Sequence, residues 1–291
     1  MARQIGFIGL GMMGAPMAAN LLAGGFEVTG YDVRPENAKD LQGKAGFTLA
    51  PALEALGGLS TIILMVPNSK IVDSLLWEQG LAKLLAKGGC LIDMSSSEPL
   101  KSQANAEKMR ALGLAFIDAP VSGGVKRARD GSLAIMIGGE AEAVKGAMPV
   151  FEAMGKTLVH VGSAGAGHAV KALNNYVSAS GLLAVCEALT AAEKFGIDPH
   201  IVNKVFSAST GKNNTTDNKV EQFMLNGAFN SGFSLSLMRK DLDTALAFIQ
   251  AVGTPDVFAR SCAETWRAAD GGLPQPADHT AMYAYVHDHQ K

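Results

Sequence analysis

The chain has 291 residues, enough for one large domain or two smaller ones, each with a full core. With 48% hydrophobic and 18% charged residues, it lies on the globular side, far from disorder. A formal net charge of −2 leaves no basic surplus to meet phosphates, which argues against a nucleic-acid partner, and the three cysteines are too scattered for a disulfide framework or a metal site.

The apolar start, Ile5 to Leu10, is broken by glycines and lacks the basic start of a secretory leader, so it reads as a strand. No uninterrupted apolar run reaches the roughly 18 residues of a membrane span. Together with widely spaced cysteines suited to a reducing compartment, this predicts a cytoplasmic chain, or in a eukaryote one of an organelle matrix, with no membrane partner. Gln4–Ile8, Glu27–Tyr31, Thr61–Val66, Cys90–Met94 and Ala115–Asp118 are short apolar runs that read as buried strands. Met12–Ala23, Lys70–Trp77 and Leu100–Leu112 between them read as helices, and this alternation predicts a parallel sheet with right-handed crossovers. Leu133–Ile137 and Thr157–Val161, flanking a helical Ala141–Met154, carry the sheet to residue 162.

Gly162-Ser163-Ala164-Gly165-Ala166-Gly167 then forms a hinge, which predicts a first domain over 1–162 and a second over 163–291. His168 to Phe195 is rich in Ala and Leu, free of proline and almost free of glycine, with Gly196 as C-cap and Pro199 beyond. At about 1.5 Å per residue such a helix is roughly 40 Å long. Its apolar residues exceed one covering face, so it needs partners, either from its own domain or from a second subunit. Pro199–Ala208, Lys219–Leu225, Leu235–Val252, Asp256–Ala269 and Thr280–His287 complete an all-α second domain.

Gly9-Leu10-Gly11-Met12-Met13-Gly14 is a G-x-G-x-x-G run placed between the first strand and the first helix. In that context the first glycine makes the tight turn, the second lets a pyrophosphate approach the backbone, and the third packs helix on strand. Asp32, at the end of the second strand, is placed to accept hydrogen bonds from a ribose, which favours NAD over NADP. Arg34 either grips a ribose 2′-phosphate or faces solvent. The expected fold is therefore α/β, an N-terminal Rossmann-type dinucleotide-binding domain followed by an all-α C-terminal domain.

Such a fold does not name a reaction. No Tyr-x-x-x-Lys pair is present: Tyr176 is followed four residues later by Ser180 and Tyr285 by His289. No zinc-ligand spacing is found either, so no metal is expected. His168 reads as a helix N-terminal residue, and His287 and His289 as solvated. Lys171 and Asn175, four apart, share a face of the long helix as it leaves the nucleotide domain. A lysine projecting into an interdomain cleft loses solvation, which lowers its pKa toward the range useful for proton transfer; the alternative is a lysine that snorkels to solvent.

Four motifs together resemble those of the β-hydroxyacid dehydrogenases. Phe7-Ile8-Gly9-Leu10-Gly11-Met12-Met13-Gly14-Ala15-Pro16-Met17-Ala18 is similar to the family's N-terminal signature, and Asp118-Ala119-Pro120-Val121-Ser122-Gly123-Gly124 to its substrate-binding motif. Gly165-Ala166-Gly167-His168-Ala169-Val170-Lys171, continuing to Asn175, resembles the catalytic helix, and Lys240-Asp241-Leu242 a later element. The resemblance implies Lys171 as acid/base, Ser122, Gly123 and Gly124 as holders of a substrate carboxylate, Asn175 as support for both, and Lys240 beside the nicotinamide. Adjacent glycine N–H groups beside a hydroxyl suit an anion. Met12, Met13, Val66, Pro67 and Ser96 would line the cofactor, as the corresponding family positions do.

The implied activity is hydride transfer between NAD, or NADP, and a small 3-hydroxy carboxylic acid, reversible to the semialdehyde. Tartronate semialdehyde reductase and threonate-type dehydrogenase are alternatives, and a catalytically inactive nucleotide sensor or scaffold is a reading of another class. Lys171 counts against imine reductases of this fold, and the chain length against 6-phosphogluconate dehydrogenases. The polar run Gly211-Lys212-Asn213-Asn214-Thr215-Thr216 either lines a distal pocket or is a solvated loop. The long helix predicts a homodimer or homotetramer.

Overall fold

The computed structural model describes residues 4–288, so His289 lies outside the described residues. Packing divides the chain into two compact units, Met1–Lys171 and Ala172–Lys291. In the first unit the elements are β1 (Gln4–Ile8), α1 (Gly14–Ala23), β2 (Glu27–Tyr31), β3 (Phe47–Leu49), β4 (Thr61–Leu64), α2 (Ser69–Asp73), α3 (Leu81–Leu84) and β5 (Cys90–Asp93). They continue with α4 (Pro99–Ala111), β6 (Ala115–Asp118), β7 (Val121–Ser122), α5 (Gly124–Arg129), β8 (Leu133–Gly138), α6 (Ala141–Met154) and β9 (Gly155–Gly162). The division between the units falls inside α7 (Ala166–Lys194).

The apolar runs of this unit become strands because alternate residues feed two cores. Ile5 and Phe7 of β1, Ile63 of β4, Ile92 of β5 and Ile117 of β6 join the core built with Met17, Leu21 and Phe151 of α1 and α6. Their neighbours Ile8, Ile62, Leu64, Leu91 and Phe116 face the other way, onto Leu56, Leu75 and Met109. A sheet covered on both faces needs no polar alternation, which is why these strands read as continuous apolar runs.

β3-β2-β1-β4-β5-β6 are parallel in that order. The parallel order is interrupted after β6: β8 runs antiparallel to β6 and β7, while β9, beyond α6, runs parallel to β8. The reason lies in the connection. Only Ala119-Pro120 separates β6 from β7, and α5 has 6 residues. A parallel crossover takes roughly a dozen residues or more, so the chain turns back instead. Helix limits also move. Met12 and Met13 belong to the loop before α1, because α1 begins at Gly14. Lys70–Trp77 resolves into α2, capped by Asn68 Oδ1 on the Ile71 N–H, and a π-helical turn over Ser74–Glu78.

The second unit takes in the later turns of α7, then α8 (Pro199–Ala208), α9 (Asn214–Asn218), α10 (Leu235–Ala251), α11 (Val257–Gly272) and α12 (Met282–Asp288). Lys219–Leu225 becomes a π-helical turn, Val220–Met224, which α9 precedes. One face of α7, through Ala179, Leu182, Cys186 and Leu189, packs on Leu242, Leu246, Cys262 and Trp266. The Asp278 carboxylate accepts bonds from Ser231 Oγ, the N–H groups of Gly232 and Phe233, and both N–H and Oγ1 of Thr280. Burial alone would push this carboxyl up, but bonds from His279, Thr280 and Ser231 outweigh it and hold it well below the usual carboxylate range.

Cys90, Cys186 and Cys262 are all unbridged. Burial pushes the Cys90 thiol up to about 12, which leaves it inert as a nucleophile. Among the described residues no helix is long and apolar enough to cross a membrane, and no cluster of three or more His, Cys, Asp or Glu is placed to hold a metal ion.

Candidate functional site

The glycine loop has three glycines with three different constraints. Gly9 leaves β1 at φ +94°, and a Cβ there would meet the Met65 carbonyl. A Cβ on Gly14 would run into the Gly9 carbonyl, so α1 packs on the strand only with glycine at that position. Around Gly11 an added Cβ meets nothing within 4 Å, which leaves open space over the loop. Met13 makes no side-chain cap to α1, and the first turn holds no acidic residue. Of the first N–H groups of α1, Ala15 donates to the Gly11 carbonyl and Met17 to that of Met13, and Pro16 has none. The open space over Gly11 at the positive end of α1 nevertheless fits a dinucleotide pyrophosphate.

Asp32 Oδ2 accepts the Leu10 N–H at 2.7 Å and its Oδ1 the Arg34 N–H at 2.8 Å. The carboxylate is fixed against the loop and still has lone pairs for a ribose. Arg34 contributes its backbone to Asp32 and is exposed. Met12 is 80% exposed on the loop rim and Met13 is half-buried.

Two further loops leave the same ends of β4 and β5. Val66 donates its N–H to Ser95 Oγ at 3.0 Å, and exposed Pro67 follows it. Asp93 accepts the Ser95 N–H and the Ser97 hydroxyl, so half-buried Ser96 is held between two buried, tethered serines. Val66 and Ser96 are therefore brought together through Ser95.

Ser122 ends β7 half-buried, and exposed Gly123 and Gly124 follow at φ +129° and +64°. A Cβ on Gly123 would collide with the stem of Arg127, which lies over it. Lys126, Arg127 and Arg129 give α5 three cations just beyond the two glycines. The sequence reading missed this charge, although the run Lys126-Arg127-Ala128-Arg129 carried the signal. A positive field here favours an anion at the glycines.

Lys171 lies half-buried in the second turn of α7, and Asn175 one turn later is buried. Asn175 Nδ2 donates to Asp241 Oδ2 at 2.6 Å, and Lys240 Nζ stands 3.5 Å from the other oxygen of that carboxylate. Asp241 thus joins Asn175 to Lys240 and fixes the amide; it was read only as part of a motif. The polar run 211–216 is accounted for by capping: Asn213 accepts the Thr215 and Thr216 N–H groups, and Thr216 Oγ1 accepts the Asn213 N–H.

His168 departs furthest from its sequence reading. It is 1% exposed, with Nδ1 2.7 Å from Ser102 Oγ and Nε2 3.1 Å from the Ser95 carbonyl. Asp118 accepts the Gly165 N–H at 2.6 Å and the His168 N–H at 2.8 Å, closing the start of α7. Burial pushes the Asp118 carboxyl above the usual carboxylate range, and the His168 charge and these two N–H groups offset that only in part. A Cβ on Gly167 would meet the Met136 and Asp118 carbonyls, so the helix start touches β8 and the end of β6 directly.

Residues 4–162 match the family model of the NAD-binding domain of 6-phosphogluconate dehydrogenase, and residues 165–286 that of the NAD-binding of NADP-dependent 3-hydroxyisobutyrate dehydrogenase. A 3-hydroxyisobutyrate dehydrogenase of Pseudomonas aeruginosa is 38% identical over 256 residues, 86% of each chain. A 2-hydroxy-3-oxopropionate reductase of Escherichia coli is 34% identical, covering 96% of this chain and 95% of its own. The structure of Mycobacterium tuberculosis 3-hydroxyisobutyrate dehydrogenase with L-serine superposes with a TM-score of 0.89 at 31% identity, covering 98% of this chain and 99% of that one. Loop, helix start and sequence relationship agree: the chain belongs to the β-hydroxyacid dehydrogenase family.

Proposed function

We propose that the chain is an NAD(P)-dependent dehydrogenase acting on the CH–OH group of a small 3-hydroxy carboxylic acid, with Lys171 as acid/base. The observation that carries this is Lys171 standing one turn before an Asn175 held by a buried carboxylate, in a chain with a dinucleotide loop. In this reading Ser122, Gly123 and Gly124 bind the substrate carboxylate, and the cations of α5 raise its local concentration. Asn175 orients the hydroxyl, and neutral Lys171 takes its proton; in reverse, Lys171 returns a proton to the carbonyl oxygen of a semialdehyde. A bound nicotinamide supplies the hydride acceptor. Gly9, Gly11, Met12, Met13, Gly14, Asp32, Val66, Pro67 and Ser96 would hold the dinucleotide, with Lys240 at its nicotinamide end.

Substrates of the relatives' type frame the test: 3-hydroxyisobutyrate, glycerate, threonate and L-serine, each assayed with NAD and with NADP. Asp32 opposes a ribose 2′-phosphate, so NAD is expected to be used at least about tenfold more efficiently, a difference of about 1.4 kcal/mol. A clear NADP preference would show that Arg34 governs the pocket. Tight dinucleotide binding without turnover on any acid would favour the inactive, nucleotide-sensing reading.

The same reading makes the chain a cytoplasmic homodimer or homotetramer. In the second unit Val177, Phe195, Ile201, Val205 and Val257 are each more than half exposed, with Ile201 and Val205 on one face of α8. So much exposed aliphatic and aromatic surface marks an association face. Light scattering at micromolar concentration should give two or four times the chain mass of 30.3 kDa, and a single species at that mass would refute assembly.

A further inference from the structure

The buried cluster at the start of α7 lies outside the roles assigned above, yet it touches three of the loops that carry them. Asp118 at the end of β6 takes the Gly165 and His168 N–H groups, which fixes the backbone of the first turn. The His168 ring then reaches across to the loop after β5. Because a carbonyl only accepts, the 3.1 Å contact with Ser95 O places a proton on Nε2. Nδ1 meets the Ser102 hydroxyl at 2.7 Å, nearer than the 3.3 Å from that hydroxyl to the Glu98 carbonyl. Ser95 in turn receives the Val66 N–H on its side chain.

Lys171 is three residues beyond His168 and so stands one turn above it on the same side of the helix. An ordinary helix start needs a cap, and Asp118 already supplies it. The second anchor is surplus to capping, and it runs to Ser95, whose side chain also holds Val66.

We propose that His168 is a positioning residue for the reaction, and that its Nε2–H bond to the Ser95 carbonyl sets the placement of Lys171 relative to the Val66 and Ser96 loops. The inference rests on Lys171 being the acid/base, and it assigns His168 no contact with substrate or cofactor. Misplacement of about 1 Å far from the chemistry can cost on the order of a hundredfold in rate, which gives such a bond leverage.

Two isosteric variants separate the two ring nitrogens. Glutamine places an amide N–H near Nε2, so His168→Gln keeps the Ser95 bond. Asparagine places an oxygen near Nδ1, so His168→Asn keeps only the Ser102 bond. His168→Asn is expected to lower kcat at least about tenfold with KM for the acid within about threefold, while His168→Gln stays within about threefold in both. Hydrogen exchange of the amides in 166–172 supplies a readout without turnover: faster in His168→Asn, like wild type in His168→Gln. Equal losses in both variants, or unchanged exchange in His168→Asn, would overturn the proposal. If His168→Asn does not fold, Ser102→Ala decides, since it removes only the Nδ1 partner and must leave kcat and exchange near wild type. A wild-type protein inactive on every acid would sink the proposed function, and the exchange contrast would still judge the anchor.

Discussion

Lys171→Ala should lower kcat by about 10²–10⁴-fold, the usual contribution of a positioned acid/base, and leave the dinucleotide Kd nearly unchanged. The two readouts separate because Lys171 lies on α7, whereas the pyrophosphate loop and Asp32 are built by β1, α1 and β2. Lys171→Arg sharpens the test. Arginine keeps the positive charge and much of the length but does not release its proton near neutral pH. If Lys171 transfers a proton, the arginine variant is as slow as the alanine variant; if it only attracts the substrate carboxylate, arginine restores most of the rate. Steady-state kinetics with a fluorescence titration of the dinucleotide decides both points. Turnover within about tenfold of wild type in Lys171→Ala would remove the acid/base role. The half-buried position of Lys171 gives the side chain access to a substrate and limits its hydration.

Much of this was legible before the structure because burial on two faces writes itself as apolar runs. Ile62-Ile63-Leu64 and Leu91-Ile92 are unbroken since alternate residues serve opposite cores. The α7 helix was legible because a long stretch without proline has few other solutions. The reversal at β7 was not: a strand of 2 residues has no period, and direction is set by connection length. At the site, the glycine loop and Lys171 announce themselves by spacing. His168, Asp118 and Asp241 do not, because their work is to meet groups far away in the chain: Ser95 and Ser102 for His168, Gly165 for Asp118, Asn175 for Asp241. A single polar residue on a strand end or helix face gives no local sign of a partner roughly fifty or more positions distant. The run 211–216 was open between a pocket and a solvated loop. In the structure Asn213 and Thr216 spend their polarity on each other's backbone.

Gly11→Ala and Gly14→Ala should fail in opposite ways, although the two glycines belong to one motif. At Gly14, in the first turn of α1, alanine would gain up to about 1 kcal/mol in helix propensity over glycine. The added Cβ, however, would strike the carbonyl of Gly9, a backbone atom that cannot rotate away. Overpacking against a fixed atom costs about 1–3 kcal/mol, so the clash wins and Gly14→Ala is less stable even without ligand. At Gly11 the added Cβ meets nothing within 4 Å, and the residue is not among those held at positive φ. Gly11→Ala should therefore match wild type in denaturant, or exceed it by the roughly 0.4–1 kcal/mol that a less flexible unfolded chain confers. Its defect appears only with ligand. In the proposed reading the pyrophosphate approaches the backbone in the open space over Gly11, and a methyl group there should raise the dinucleotide Kd at least about tenfold, or about 1.4 kcal/mol. Urea melts without ligand, set beside calorimetric titration with NAD, measure both. A Gly11→Ala variant that binds NAD as tightly as wild type would show that the dinucleotide does not lie over this loop.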